Sequence, residues 1–273
     1  MDFTVLMSVY KNEKSANLSE AIKSVFNQTL LPTELLIIED GPLTEELETV
    51  LTGAKIKYPG KVRTIALPRN VGLGLALRRG VEYSRTELIA RADSDDLSLP
   101  DRFLVQVREF EKSPTLTLLS GVVGEFSEDP GEIDALRKVP LTHNEIMKFS
   151  KQRNPFNHPA VMFKKSTVLK AGNYRDFQGF EDYDLWVRIL QQGNLSKNLD
   201  KMIVKMRTGE GMHKRRGGRR YLFTYRRLKK QMLQDGYISR LDYGVSLAMM
   251  TINVVIPVSL RKIVYTYFLR SER

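Results

Sequence analysis

Apolar and polar positions alternate between two periods along the first hundred residues. Residues 3–10, FTVLMSVY, form an apolar run that predicts a buried strand. Asn17-Leu18-Ser19-Glu20 predicts an N-cap with an acid three positions on, and Ala21, Ile22, Val25 and Phe26 then recur at helical spacing. Residues 34–39, ELLIIE, read as a second strand closed by Asp40-Gly41-Pro42, followed by a helix through about residue 57 and a strand at 62–67. A helix over 73–84 and a strand over 87–92 continue the alternation. Strands alternating with helices imply right-handed βαβ units, hence an α/β fold around a mainly parallel sheet with helices on both faces.

Further along, the pattern predicts a helix at 100–112, a strand near 115–120, a loop over 125–140 and an amphipathic helix at 181–192. A short apolar strand follows His158, Gly172 ends a helix, and a last strand covers 199–206. Ligands of parallel sheets sit beyond the carboxyl ends of the strands. Those ends carry Tyr10, Asp40, Arg69-Asn70 and Asp93-Ser94-Asp95-Asp96. Asp and Asn are also ordinary turn formers, so no single one of these marks a site.

Charge changes the picture more than composition does. The 273 residues hold 43 Lys+Arg and 32 Asp+Glu, a net +11. Residues 1–213 are neutral, and the whole excess lies in residues 214–273. The basic runs Lys214-Arg215-Arg216, Arg219-Arg220, Arg226-Arg227 and Lys229-Lys230 precede the uncharged stretch 244–260. That stretch carries Asn253 and Pro257 and reads as an interfacial or core helix rather than a span. Such a tail implies an anionic partner, nucleic acid or a membrane surface. There are no cysteines, which excludes disulfides and thiolate chemistry, and no secretory signal is visible at the N-terminus.

Two acidic clusters carry the candidate chemistry. Asp93, Asp95 and Asp96 place three carboxylates within four residues at a strand end. They either ligate Mn²⁺ or Mg²⁺ shared with a substrate phosphate, or cap the helix that follows. Asp96 is assigned to capping or to supporting the other two, and Asp101 to the next helical turn. Glu181 and Asp182 open the 181–192 helix, either as plain N-terminal acids or as a general base. Asp184 continues that turn. Trp186, four residues after Asp182, fits either an apolar wall or sugar platform or ordinary core packing.

The segments MSVYKNE, IIEDG, RNVGLG, ARADSDDLSLPDR, NPFNHPAVMF and GFEDYDLWVRIL occur in an order that resembles glycosyltransferase family 2, over residues 3–207. The resemblance implies a GT-A fold, a Rossmann-like mixed sheet flanked by helices, and an inverting sugar transfer of the bacterial surface-polysaccharide type. It implies a nucleoside pocket of Ser8, Val9, Tyr10 and Asp40, with Asn70 and Ser94 on the donor side. Asp93-Ser94-Asp95 is similar to the family's DxD motif, with Asp95 and Asp93 at the metal. Asp182 matches the base, with Glu181 beside it. Asn157 and His158 resemble the acceptor-side loop, where Trp186 is also placed. Where the family commonly has Asn, this chain has Arg78, which is assigned to the diphosphate. His213 is read as a solvated tail residue rather than a metal ligand.

The expected organisation is a GT-A domain over 1–213, with a nucleotide-sugar half at 1–98 and an acceptor half at 99–213. A basic helical tail at 214–273 follows. The expected activity moves a hexose from a UDP-sugar to a polyprenyl-pyrophosphate-linked saccharide. It would act peripherally on the cytoplasmic face of a bacterial inner membrane, with Mn²⁺ or Mg²⁺ as cofactor and no nucleic acid as partner. Nucleotidyl transfer and nucleic-acid binding through the tail are the competing readings. The first leaves Glu181-Asp182 without a role, and the second leaves the aspartate cluster without one.

Overall fold

The structure, a computed structural model, describes residues 1–208 and 218–255. Alternation within the central strands divides their side chains between two faces, as a pleated strand requires. In β1 (Phe3–Val9) and β2 (Glu34–Glu39), Val5, Met7, Leu35 and Ile37 pack on one side and Leu6, Leu36 and Ile38 on the other. Helices α1 (Ser15–Phe26), α2 (Glu45–Lys57) and α4 (Arg102–Lys112) cover the first face. The second is covered by α3 (Leu73–Tyr83), α5 (His143–Ser150), α6 (Lys165–Lys170) and α7 (Glu181–Gln191).

The sheet is mixed. Its order is β3-β2-β1-β4-β8-β6-β9-β5, with β7 beside β6. The added strands are β3 (Val62–Ala66), β4 (Leu88–Asp93), β5 (Leu97–Ser98), β6 (Leu116–Phe126), β7 (Ala135–Arg137), β8 (Met162–Lys164) and β9 (Leu195–Arg207). The half β3-β2-β1-β4 is parallel, as the strand–helix alternation implies. β8 runs antiparallel to both β4 and β6, so it joins the parallel half to the β6–β9 half.

Several boundaries differ from the sequence reading. Helix α1 starts at Ser15, so Asn17 is inside its first turn and does not cap it. Glu13 supplies the acceptors instead, taking the Lys14 N–H at 2.8 Å and the Asn17 amide at 3.3 Å. The strand near 115–120 continues to Phe126 because β7 and β9 pair with its second half. Helix α5 was not anticipated, although Thr142 and Glu145 form a full capping box at its start.

Part of the expected tail is folded onto the body. Helices α8 (Arg219–Gln234) and α9 (Arg240–Val255) form a pair. Tyr225, Leu228, Met232 and Ile238 of this region pack on Phe177, Phe180, Tyr183 and Val187 around the start of α7. Residues 214–217, His213 and the end of the 244–260 stretch lie outside the described residues. Among the described residues, no helix is long and apolar enough to cross a membrane.

Candidate active site

β4 delivers its acidic turn at the carboxyl end of the parallel half, beside the end of β1 (Ser8 pairs with Asp93). Asp93, Asp95 and Asp96 each offer a carboxylate oxygen within 4.8 Å of the others. Burial pushes the Asp95 carboxyl up to about 7, with Asp93 and Glu13 adding to it and Arg91 opposing. Asp96 is raised well above the usual carboxylate range by burial, then by Asp93 and Asp95. Asp96 Oδ1 accepts the Arg207 N–H at 2.9 Å, so this residue ties the turn to β9. Among the described residues, its Oδ2 is buried without a hydrogen-bond partner. Three mutually repelling carboxyls and one orphaned oxygen fit a hard divalent cation, which prefers oxygen ligands.

Arg91 lies beneath this cluster, its side chain 2% exposed and paired with Asp93. Its positive charge also acts on Glu181, Asp182 and His158. One buried guanidinium therefore sits in the field of both acidic clusters. Sequence reading passed over it, although an arginine inside an otherwise apolar strand is a signal that a partner must be found.

At the end of β1, Val9 puts its side chain into the core while its carbonyl accepts the Asp40 N–H at 2.7 Å. Tyr10 and Asn70 are exposed and Ser8 is half-buried at the mouth. Ser94 donates to Glu13 at 2.7 Å, fixing the acidic turn to the β1–α1 loop. Glu13 was likewise missed. Asp40 is buried, and both its oxygens accept main-chain N–H groups, Val71 at 2.7 Å and Gly72 at 3.0 Å. It organises the RNVGLG loop from within. A Cβ on Gly41 would stand 2.6 Å from the Asn70 nitrogen, so that turn requires glycine.

At the start of α7 the two acids differ. Glu181 is buried, accepts the Gly179 N–H at 2.7 Å, and is pushed up to about 7 by burial and then by Asp182. Asp182 keeps its side chain 15% exposed. It accepts the Asn154 amide at 2.6 Å and the Tyr183 N–H at 2.7 Å. Burial raises its carboxyl as well. Asp184 turns into the core and pairs with Arg188 at 2.6 Å. His158 Nδ1 is 4.0 Å from Asp182 Oδ2, and its Nε2 is 3.1 Å from the Tyr174 hydroxyl. Burial holds the imidazole well below its usual range, so it is neutral.

Three assigned residues are placed elsewhere by the structure. Trp186 is 0% exposed, packed among Phe156, His158, Phe163 and Tyr174, and is core rather than a sugar platform. Asn157 is 1% exposed and spends its amide on the carbonyls of Gly121 and Arg137. It knits β6 to β7 and presents nothing to an acceptor. Arg78 bonds Glu82 at 3.3 Å and the Tyr174 carbonyl at 3.4 Å, pointing along α3. Asn154, which opens the NPFNHP segment, is the residue of that segment whose amide reaches Asp182.

The parallel half-sheet ending in a carboxylate turn, with a second buried acidic pair across the mouth, defines the GT-A class of nucleotide-sugar enzymes. The family model "Glycosyl transferase family 2" matches residues 4–170, and the chain belongs to that family and is a glycosyltransferase. It is 35% identical over 268 residues to the Escherichia coli UDP-Gal:alpha-D-GlcNAc-diphosphoundecaprenol beta-1,3-galactosyltransferase, covering 98% of this chain and 96% of that one. It is 36% identical over 266 residues to the amylovoran biosynthesis glycosyltransferase AmsE of Erwinia amylovora, covering 96% and 97%. Its fold matches the Pyrobaculum calidifontis mannosyltransferase PcManGT, solved with GDP-Man and Mn²⁺, at a TM-score of 0.65 and 14% identity, over 93% of this chain and 70% of that one.

Proposed function

We propose that this glycosyltransferase moves a hexose from a UDP-sugar to a saccharide carried on a polyprenyl pyrophosphate, with inversion at the anomeric carbon. The observation that carries the reading is the pairing of two acidic groups at one mouth, Asp93-Asp95 and Asp182, around Arg91. The names of the two full-length relatives support the lipid-linked acceptor and the polysaccharide setting.

Asp93 and Asp95 would hold Mn²⁺ or Mg²⁺, which when bound neutralises the departing diphosphate. Ser8, Tyr10 and Asn70 border the nucleoside, and Asp40 holds the loop that closes over it. Asp182, the more accessible acid, takes the proton of the acceptor hydroxyl as its oxygen forms the new bond to C1 and the C1–phosphate bond breaks. Glu181 remains buried and supports the α7 start. One displacement suffices, so no covalent intermediate is needed. His158, held neutral by burial, lines the Asp182 side without competing for the metal.

The acceptor's lipid places the reaction at a membrane, and the C-terminal helices suit an anionic one. Leu241, Val245, Met249 and Ile252 are exposed along one face of α9, and Phe223 is exposed on α8. Arg219, Arg220, Arg226, Lys230 and Arg240 are exposed on the same helix pair. An apolar stripe with neighbouring cations fits peripheral binding to the cytoplasmic leaflet.

The test is transfer from UDP-Gal, UDP-Glc and UDP-GlcNAc to a synthetic lipid-pyrophosphate-GlcNAc, with Mn²⁺ or with EDTA. Product with inverted linkage, abolished by EDTA and by Asp182→Asn, is expected. Full transfer by Asp182→Asn would remove the base assignment, and transfer unaffected by EDTA would remove the metal. Flotation with phosphatidylglycerol vesicles tests the membrane arm: a Leu241→Ser/Met249→Ser/Ile252→Ser variant should lose binding, and unchanged flotation refutes it.

A further inference from the structure

One buried cation is used by nothing in the reaction described above. Lys229 of α8 is 0% exposed, with its Nζ 2.7 Å from the Lys151 carbonyl, 3.2 Å from the Gln152 carbonyl and 2.8 Å from the Tyr183 hydroxyl. Tyr183 donates its own hydroxyl hydrogen to the Ser150 carbonyl at 2.6 Å. Its oxygen is therefore free to accept from lysine, and all three ammonium protons have an acceptor. Lys151 caps α5 and Gln152 follows it, so both carbonyls lie at the C-terminal end of that helix, where its dipole favours a cation.

The turn held this way leads directly to the candidate base. Two residues after Gln152, Asn154 donates to Asp182 Oδ2 at 2.6 Å and accepts the Phe156 N–H at 3.2 Å. On the other side, Tyr183 follows Asp182 in the chain, and its N–H reaches Asp182 Oδ1. Lys229 thus grips both neighbours of the Asp182 carboxylate: the turn carrying Asn154, and the residue next to Asp182. Burial opposes the charge and pushes the ammonium down to about 7, with Asp242 acting in the other direction. A methionine would fill this space without that cost, so packing alone does not account for a lysine.

We propose that Lys229 is a positioning residue for the base: by fixing the 150–154 turn and the Tyr183 hydroxyl, it holds Asn154 and Asp182 in the geometry that receives the acceptor proton. The inference rests on Asp182 being that base. It makes the C-terminal helix pair part of the catalytic construction rather than an appended tail.

The full chain is assayed as wild type, Lys229→Met, Tyr183→Phe and Asn154→Ala, with circular dichroism and thermal unfolding to establish folding. Lys229→Met is expected to lower kcat at least about tenfold while KM for the UDP-sugar changes less than about twofold. Tyr183→Phe, which removes one hydroxyl, should lower kcat in the same manner and decides the matter if Lys229→Met does not fold. In the Asn154→Ala background, Lys229→Met should lower kcat by a smaller factor than in the wild type, because part of its effect runs through Asn154. Wild-type kcat in folded Lys229→Met or Tyr183→Phe, or additive losses in the double variant, would overturn the proposal. Asp182→Asn separates the two readings. If it retains kcat, the base assignment fails. If it abolishes transfer while folded Lys229→Met keeps wild-type kcat, only the positioning role fails.

Discussion

The Asp40 carboxylate accepts the main-chain N–H of Val71 at 2.7 Å, and with Gly72 beside it this one side chain fixes the loop that enters α3. Two residues later Gly74 lies against α7, where an added Cβ would stand 2.9 Å from both the Glu181 Cβ and the Arg175 carbonyl oxygen. The buried Asp40 and the acidic start of α7 are thereby linked through a single short segment.

Asp40→Asn replaces one acceptor oxygen by an amide that faces an N–H donor. Loss of a buried charged hydrogen bond should cost about 2 kcal/mol. Thermal unfolding should show that loss, and KM for the UDP-sugar should rise as the loop loosens. An unchanged melting temperature would contradict this account.

Gly74→Ala forces α3 away from Glu181, and backbone on one side leaves it little room. Overpacking of this kind costs about 1–3 kcal/mol. Because the displaced contact is the residue beside Asp182, kcat should fall in the folded variant. Calorimetry and steady-state kinetics on the same preparation measure both effects.

The Glu181–Asp182 pair sets the acid limb of the pH profile. Burial raises both carboxyls, Glu181 to about 7 with the Asp182 charge adding to it, so the two give up their protons in coupled steps. With Asp182 as the proposed base, activity should rise with pH as the pair ionises, and Glu181→Gln should leave a single-step limb. Stability follows the opposite sign. A carboxyl bound more tightly to its proton in the folded state stabilises below its unfolded pKa, and this is lost as pH rises through the folded value. Glu181→Gln should therefore reduce the destabilisation of the protein between pH 5 and pH 8. Kinetics and urea unfolding across that range are the measurements.

Trp186→Phe distinguishes core from platform. As a core residue among four aromatic rings, its replacement should cost about 1–3 kcal/mol from the space left behind, with KM for the acceptor unchanged. A raised acceptor KM at unchanged stability would restore the platform reading. Arg78→Ala, which removes only the contacts to Glu82 and Tyr174, should leave KM for the UDP-sugar near wild type.

Much of the architecture was legible because it rests on local periods. The alternation in FTVLMSV and ELLIIE, and the helical spacing of α3 and α7, follow from strand and helix geometry and needed no partner to be read. The capping box at Thr142 was equally local and was overlooked. The antiparallel insertion of β8 could not be seen, since three residues of strand carry no direction. At the site, the spacing Asp93-Ser94-Asp95 and the acids of α7 point to two segments whose carboxylates the fold gathers around Arg91. Which member of each segment faces the mouth was a different question, and Asn157 and Trp186 turned inward while Asn154 and Asp182 did not.

By itself, then, the sequence determined the alternating strands and helices of the first hundred residues, the acidic turn after β4, the acidic start of α7 and the concentration of positive charge beyond residue 213. These depend on neighbours within a few positions. The tertiary structure alone decided that Arg91 lies between two acidic clusters, that Asp40 holds the distant RNVGLG loop, and that Lys229 leaves the basic surface to bind carbonyls 78 and 77 residues away. The reason is physical: a side chain's burial and its partners are set by elements distant in the chain, and these convert an apparent surface charge into an internal fastening.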